Sequence, residues 1–175
     1  MTEMTTQPIT SLAEFLAHAL ELEVESAERY RELADSMEVH NNPDVAELFR
    51  KLAGYGDSHA QEVKDRAADV LLPTIPPWDF KWSCPEGPES PCMEDAHYMM
   101  TKCQALELAL HNEVRGRDFY TQVAAASPDD EVSRVAAEMA AEEDTHVQML
   151  RKWFKREACD IQEVQEDLDP PNIPE

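Results

Sequence analysis

Glu143 and His146 stand three apart in the stretch EEDTHVQML. On a helix, residues at that spacing project from one face, so a carboxylate and an imidazole can reach the same ion together. Met139, Met149 and Leu150 mark the face as interior, and ionised groups among apolar neighbours need a partner or a metal. Alone, the pair also reads as a solvated couple, because Glu-x-x-His arises readily by chance in an acidic helix. Two further glutamates lie on apolar stripes. Glu23 follows Leu16 by seven residues and Ala19 by four; Glu113 follows Leu106 by seven and Ala109 by four. Glu14, Glu21, Glu25, Glu28 and Glu32 read as surface acids.

Four segments with helical periodicity must carry these groups. They span about 10–37, 43–72, 93–126 and 129–158, and nothing reads as a strand. The stretches NNPD (41–44) and SPDD (127–130) offer capping residues with a proline near the first helical position. Both loops are short, so each joins antiparallel neighbours. The middle connection, 73–92, is long and proline-rich enough to run the length of a bundle, with Trp78, Phe80 and Trp82 expected to pin it to the helices. The fold class expected is all-α: a four-helix bundle over 10–158 with a long crossover between the second and third helices. Residues 1–9 form a flexible start in this reading, and 159–175 an acidic, proline-rich tail, mobile from about Gln162 onward.

The two halves repeat each other. EVESAERY (23–30) matches EVRGRDFY (113–120), with Glu and Tyr seven apart in both. PDVAELFRKLAGYGDSH (43–59) matches DEVSRVAAEMAAEEDTH (130–146), and a histidine closes each. Each unit is thus a Glu-bearing helix followed by a His-bearing one. Gly54 and Gly56 interrupt the first His-bearing helix, where each costs about 1 kcal/mol relative to alanine.

The composition narrows the function. With 37 acidic residues against 15 basic ones, the chain carries −22. Such a surface repels phosphate backbones and anionic lipid heads, so neither nucleic acid nor membrane is an expected partner. No apolar run is long enough to span a bilayer. The first ten residues lack the features of a signal peptide, so a cytoplasmic location is expected. The four cysteines, Cys84, Cys92, Cys103 and Cys159, form no C-x-x-C pair, which argues against a zinc-ribbon or rubredoxin-type site. Cys84 and Cys92 read as two free thiols in that compartment, with a redox-active disulfide as the rival. His18, His97 and His111 read as surface or packing residues.

The four-helix pattern, the long crossover, one inward Glu on helices one and three, and Glu-x-x-His on helix four match the arrangement of ferritin-like di-iron carboxylate proteins. The sequence resembles the rubrerythrin branch of the ferritin-like superfamily over about 10–157. That resemblance implies that Glu23, His59, Glu113, Glu143 and His146 are metal ligands. It places Tyr30 and Tyr120 beside the metals, hydrogen-bonded to ligand carboxylates; from the residues alone they read equally as core aromatics. It also implies that helix two should carry Glu-x-x-His, yet Gly56 stands three residues before His59. Either a bridging carboxylate is missing, or a distortion at the glycines turns Tyr55, Asp57 or Glu62 inward, or His59 is a core histidine of a decayed site.

The expected function is a non-haem iron oxidoreductase that reduces peroxide or dioxygen or oxidises Fe(II), with one or two ions bound. Manganese or zinc also suits carboxylates and imidazoles. The alternative is a metal-carrying or metal-sensing protein without turnover; a metal-free association bundle is the third reading. With no rubredoxin-like domain after the bundle, a reductase cycle requires an external electron donor. A homo-oligomer, most simply a dimer, is expected. One tight ion near Glu143 and His146 and one weak one follow from the glycine, as does tighter binding in Gly56→Glu.

Overall fold

The computed structural model describes residues 8–81 and 97–159. Four helices form: α1 (Leu12–Val39), α2 (Pro43–Arg66), α3 (Lys102–Ala126) and α4 (Asp130–Arg156). No strand occurs among the described residues. α1 packs chiefly on α2, and α3 on α4; the two hairpins meet along α2/α3 and α1/α4. This is the all-α four-helix bundle expected from the periodicity, and it is the ferritin-like class that the resemblance implies.

The helix limits follow from local chemistry. Ser11 caps α1 by accepting from the Glu14 amide, and Asp129 caps α4 by accepting from Glu131 and Val132. Such side-chain acceptors satisfy amide groups that the first turn leaves unpaired. α3 begins at Lys102, well after position 93, because Thr101 and Gln104 close a reciprocal capping box there. α2 ends at Arg66 rather than near 72. Asn42 precedes α2 without capping it; its side-chain amide donates instead to the Met100 carbonyl at 2.8 Å, tying the first hairpin loop to the end of the crossover. Asn41 takes a left-handed φ of 58° in that loop, a conformation asparagine tolerates better than most residues.

Of the expected crossover anchors, Phe80 packs on the bundle and Trp78 does not. Trp78 sits on a single 3₁₀ turn, Pro77–Asp79, and is 81% exposed. Phe80 packs edge-on to His18 with ring centroids 5.1 Å apart. The Lys81 amide donates to His18 Nε2 at 3.0 Å, and His18 Nδ1 bonds the Glu14 carbonyl at 2.8 Å. With both ring nitrogens committed and burial pressing its pKa down, His18 is a neutral packing histidine. Trp82, Cys84, Cys92 and the segment 160–175 lie outside the described residues. Cys159 belongs with the bundle rather than with a tail: it is disulfide-bonded to Cys103 at the start of α3.

The core is split in two. One cluster gathers Leu33, Met37, Phe49, Leu106 and Leu150; the other gathers Phe15, Leu16, Leu22, Phe119, Val132 and Met139. Buried polar residues Glu23, Ser26, Asn112, Glu113 and Glu143 fall between them along the helices. Burying carboxylates carries a penalty of several kcal/mol per ion unless they are compensated. This middle layer is therefore where the bundle gives up stability for something other than packing.

Candidate metal centre

Each helix contributes to the layer. Glu23 comes from α1, His59 from α2, Glu113 from α3, and Glu143 with His146 from α4. The structure brings all five together. His59 Nδ1 lies 3.4 Å from Glu23 Oε2 and 3.3 Å from Glu143 Oε1. His146 Nδ1 donates to Glu113 Oε2 at 3.3 Å and lies 3.6 Å from Glu143 Oε2. Glu143 thus stands between two imidazoles, one oxygen toward each, and each imidazole has a second carboxylate of its own. The Glu-His repeat of the sequence becomes two equivalent clusters that share one residue.

Glu143 Oε2 is buried and has no hydrogen-bond partner among the described residues. At 3.6 Å the His146 nitrogen is an electrostatic neighbour only. An orphaned carboxylate oxygen in a core is costly. His59, Glu143 and His146 each offer one ligand atom, all within 4.8 Å of one another. Oxygen and imidazole donors converging on an orphaned carboxylate fit a divalent transition metal.

The protonation states agree with that chemistry. Burial pushes Glu143 up, but the His146 and His59 imidazoles outweigh it and hold the carboxyl at about 2. Burial likewise opposes the charge on His59, yet Glu143 and Glu23 raise it to about 11; against the same burial cost, Glu113 and Glu143 raise His146 to about 9. Burial dominates at Glu113, which rises to about 7 despite His146, and at Glu23, which is raised against the pull of His59 and Tyr120. Without a metal, protons occupy the positive role in the cluster.

Both predicted tyrosines are buried at the borders of the layer. Tyr120 Oη donates to Glu23 Oε1 at 3.0 Å, across from the other hairpin. Tyr30 Oη accepts from Asn112 Nδ2 at 3.4 Å. Asn112 went unnoticed in the sequence, although it follows Ala105 by seven residues and Leu108 by four, the same stripe logic that found the glutamates. Tyr55 also belongs to the layer, its ring centroid 5.4 Å from that of His146.

Of the alternatives at the glycines, the helix distortion does not occur. α2 is continuous through Gly54 and Gly56. Asp57 is exposed and paired with Arg31, and Glu62 faces solvent, so neither replaces a ligand. The tightening expected of Gly56→Glu also meets an obstacle. A Cβ at Gly56 would lie 3.0 Å from Ala27 Cβ and 3.2 Å from the Glu23 carbonyl oxygen. That position faces the backbone of α1 and has no open space for a carboxylate side chain.

Residues 14–74 and 104–171 match the rubrerythrin family. No curated protein matches the chain in sequence. Among solved structures, it is similar to an uncharacterized conserved protein from Magnetospirillum magnetotacticum MS-1, whose crystal structure was determined at 2.00 Å. The two are 46% identical, the likeness covers 83% of this chain and 95% of that one, and the TM-score is 0.65.

Proposed function

The chain belongs to the rubrerythrin family, and we propose that its buried Glu–His layer is an iron site serving an oxidoreductase that reduces peroxide or dioxygen or oxidises Fe(II). The observation that carries this reading is Glu143, shared between His59 and His146 with one buried oxygen left unpartnered. Glu23 and His59 would hold one ion, Glu113 and His146 a second, and Glu143 both. Bound iron supplies the electron-transfer chemistry that these side chains lack.

The side chains have defined tasks. His59 and His146 must each give up a proton before their nitrogens can ligate. Tyr120 fixes Glu23 Oε1, leaving Oε2 toward His59. The two apolar clusters above and below help bury Glu23 and Glu143, while His59 and His146 stay partly open to solvent. With three carboxylates ionised and two imidazoles neutral, the donors offset three of the four positive charges of two dications. The positive charge left over would make the second ion the more weakly held. Manganese or zinc would fit the same donors.

A turnover cycle would need an external electron donor. A homodimer stays part of the proposal, which light scattering tests. No helix among the described residues is long and apolar enough to cross a membrane. A cytoplasmic location stays part of the proposal; the Cys103–Cys159 disulfide weighs the other way, because such bonds persist mainly in oxidising compartments.

Metal analysis of protein purified without chelators tests the site, and stopped-flow mixing of the Fe(II) form with peroxide tests the activity. Stoichiometric iron and rapid oxidation support the reading. Iron that binds but does not react would favour metal carriage or sensing, a reading that the single shared carboxylate also supports.

A further inference from the structure

We propose that Gly56 is a positioning residue for the metal centre: its missing side chain sets how closely α1 and α2 approach, and it is not the vacancy of a lost ligand. The inference rests on the metal reading above. A Cβ on Gly56 would meet Ala27 Cβ at 3.0 Å, the Glu23 carbonyl oxygen at 3.2 Å and Ala27 Cα at 3.3 Å. Two of these three atoms are backbone, and the third is a methyl group fixed to it. None can rotate away, so the helices themselves would have to part.

The contact lies beside the ligands. A side chain at Gly56 would meet the main chain of Glu23, and His59 follows one helical turn later, its Nδ1 3.4 Å from Glu23 Oε2. Packed helices move as stiff bodies, so a displacement of a few tenths of an ångström at Gly56 is passed to the Glu23–His59 pair. Metal–ligand distances tolerate only about 0.2 Å. A methyl group at position 56 is therefore enough to disturb the first cluster without altering any donor atom.

The same helix supplies its own control. Gly54 is exposed, and a Cβ there meets nothing within 4 Å. Gly54→Ala removes the same kind of glycine two residues away and gains helix propensity. The two glycines look alike in sequence and are opposite in packing.

The experiment titrates the unmodified protein, G54A, G56A, G56E and the double variant A27G/G56A with Co(II) under anaerobic conditions. Affinity and the visible ligand-field spectrum are read, with helicity checked by circular dichroism. Expected are unchanged binding in G54A, and binding weakened about tenfold with an altered spectrum in G56A, the scale of loss when groups that orient ligands are changed. G56E should bind no better than G56A. A27G/G56A should recover part of the affinity, since it removes the nearest of the three contacts; this recovery also carries the test if G56A alone does not fold. Wild-type affinity in G56A, no recovery in the double variant, or a second tight ion in G56E would overturn the inference while leaving the metal reading in place. An unmodified protein that takes up no cobalt would instead overturn the metal reading, and this inference with it.

Discussion

His59 and His146 lie face to face across the two hairpins, with ring centroids 4.6 Å apart and planes 6° from parallel. No local sequence rule produces this stack; it exists because the bundle brings the repeated histidines of α2 and α4 to the same level of its interior. Two imidazolium rings so placed repel one another. Glu143 answers that repulsion by standing 3.3 Å from one Nδ1 and 3.6 Å from the other. The arrangement is thus held either by protons and one shared carboxylate, or by metal and the same carboxylate.

Replacing Glu143 removes the common element of both states. Glu143→Gln keeps the volume and deletes the charge. Metal uptake should be largely lost, as it should in Glu143→Ala and His146→Ala, with the helices retained. The metal-free protein should also lose about 3–5 kcal/mol, the usual cost of removing one partner from a buried ion pair. Urea denaturation and metal analysis of the same variant check both outcomes; full metal content in the Glu143→Ala/His146→Ala double variant would refute the site assignment.

The pH dependence of the metal-free protein has a definite sign. His59 and His146 titrate at about 11 and about 9 in the fold, above the ordinary histidine value of about 6.5. Their contribution is complete below that ordinary value and is lost as pH rises through 9 to 11. Glu113, raised to about 7, binds its proton better in the fold than in the unfolded chain, so it too withdraws stability as pH rises from its ordinary range to 7. Only Glu143, held at about 2, acts oppositely, its contribution fading as pH falls below the ordinary carboxylate range. The cluster is therefore most stabilising near the top of that range. Metal requires the deprotonated donors, so the gain in Tm on adding metal should grow with pH. Thermal melts with and without metal at several pH values measure this; a gain that shrinks as pH rises would contradict it.

The helices were readable because period and capping agree over long segments, and the candidate ligands because Glu23, Glu113 and the Glu143–His146 pair sit on apolar stripes. What the sequence hid depends on direction in space. Gly54 and Gly56 are indistinguishable as letters, and only the line from each Cα shows that one faces solvent and the other α1. Trp78 reads as an anchor by composition, yet a proline-bounded turn carries it outward and leaves the anchoring to Phe80 and His18. The apolar pattern extends before the capping box at Thr101, so periodicity alone starts α3 too early. Cys103 and Cys159 are 56 residues apart, and no local spacing announces that partnership.

That disulfide joins the first turn of α3 to the residue range just past α4 and closes most of the second hairpin into a loop. By the chain-entropy argument, a loop of this length is worth about 4 kcal/mol through restriction of the unfolded chain. Cys103→Ser/Cys159→Ser should lower stability by about 2–4 kcal/mol. Metal affinity should stay within twofold or so of the native protein, because neither sulfur belongs to the Glu–His layer. Denaturation curves and metal titrations of the oxidised protein and the variant compare the two effects; a large loss of metal affinity would show that the clamp also shapes the centre.

Tyr120 offers the sharpest test of support around a ligand. Its hydroxyl reaches from α3 to Glu23 Oε1 on α1 at 3.0 Å, within a wholly buried contact. Tyr120→Phe preserves the ring packing against Phe15 and Phe119 and removes only that donor. Glu23 Oε1 then loses its donor in a dry environment, at a cost of about 1–3 kcal/mol. The carboxylate is also freed to rotate away from His59, so metal affinity should fall about tenfold, the range seen when groups that orient ligands are lost. Glu23→Gln alone should be more damaging, since it removes a donor atom outright. If the tyrosine acts through Glu23, adding Tyr120→Phe to Glu23→Gln should cost little further affinity, and the double-mutant cycle should show coupling of roughly 0.5–3 kcal/mol. Additive losses in that cycle would mean that Tyr120 affects the metal by a route other than the carboxylate it holds.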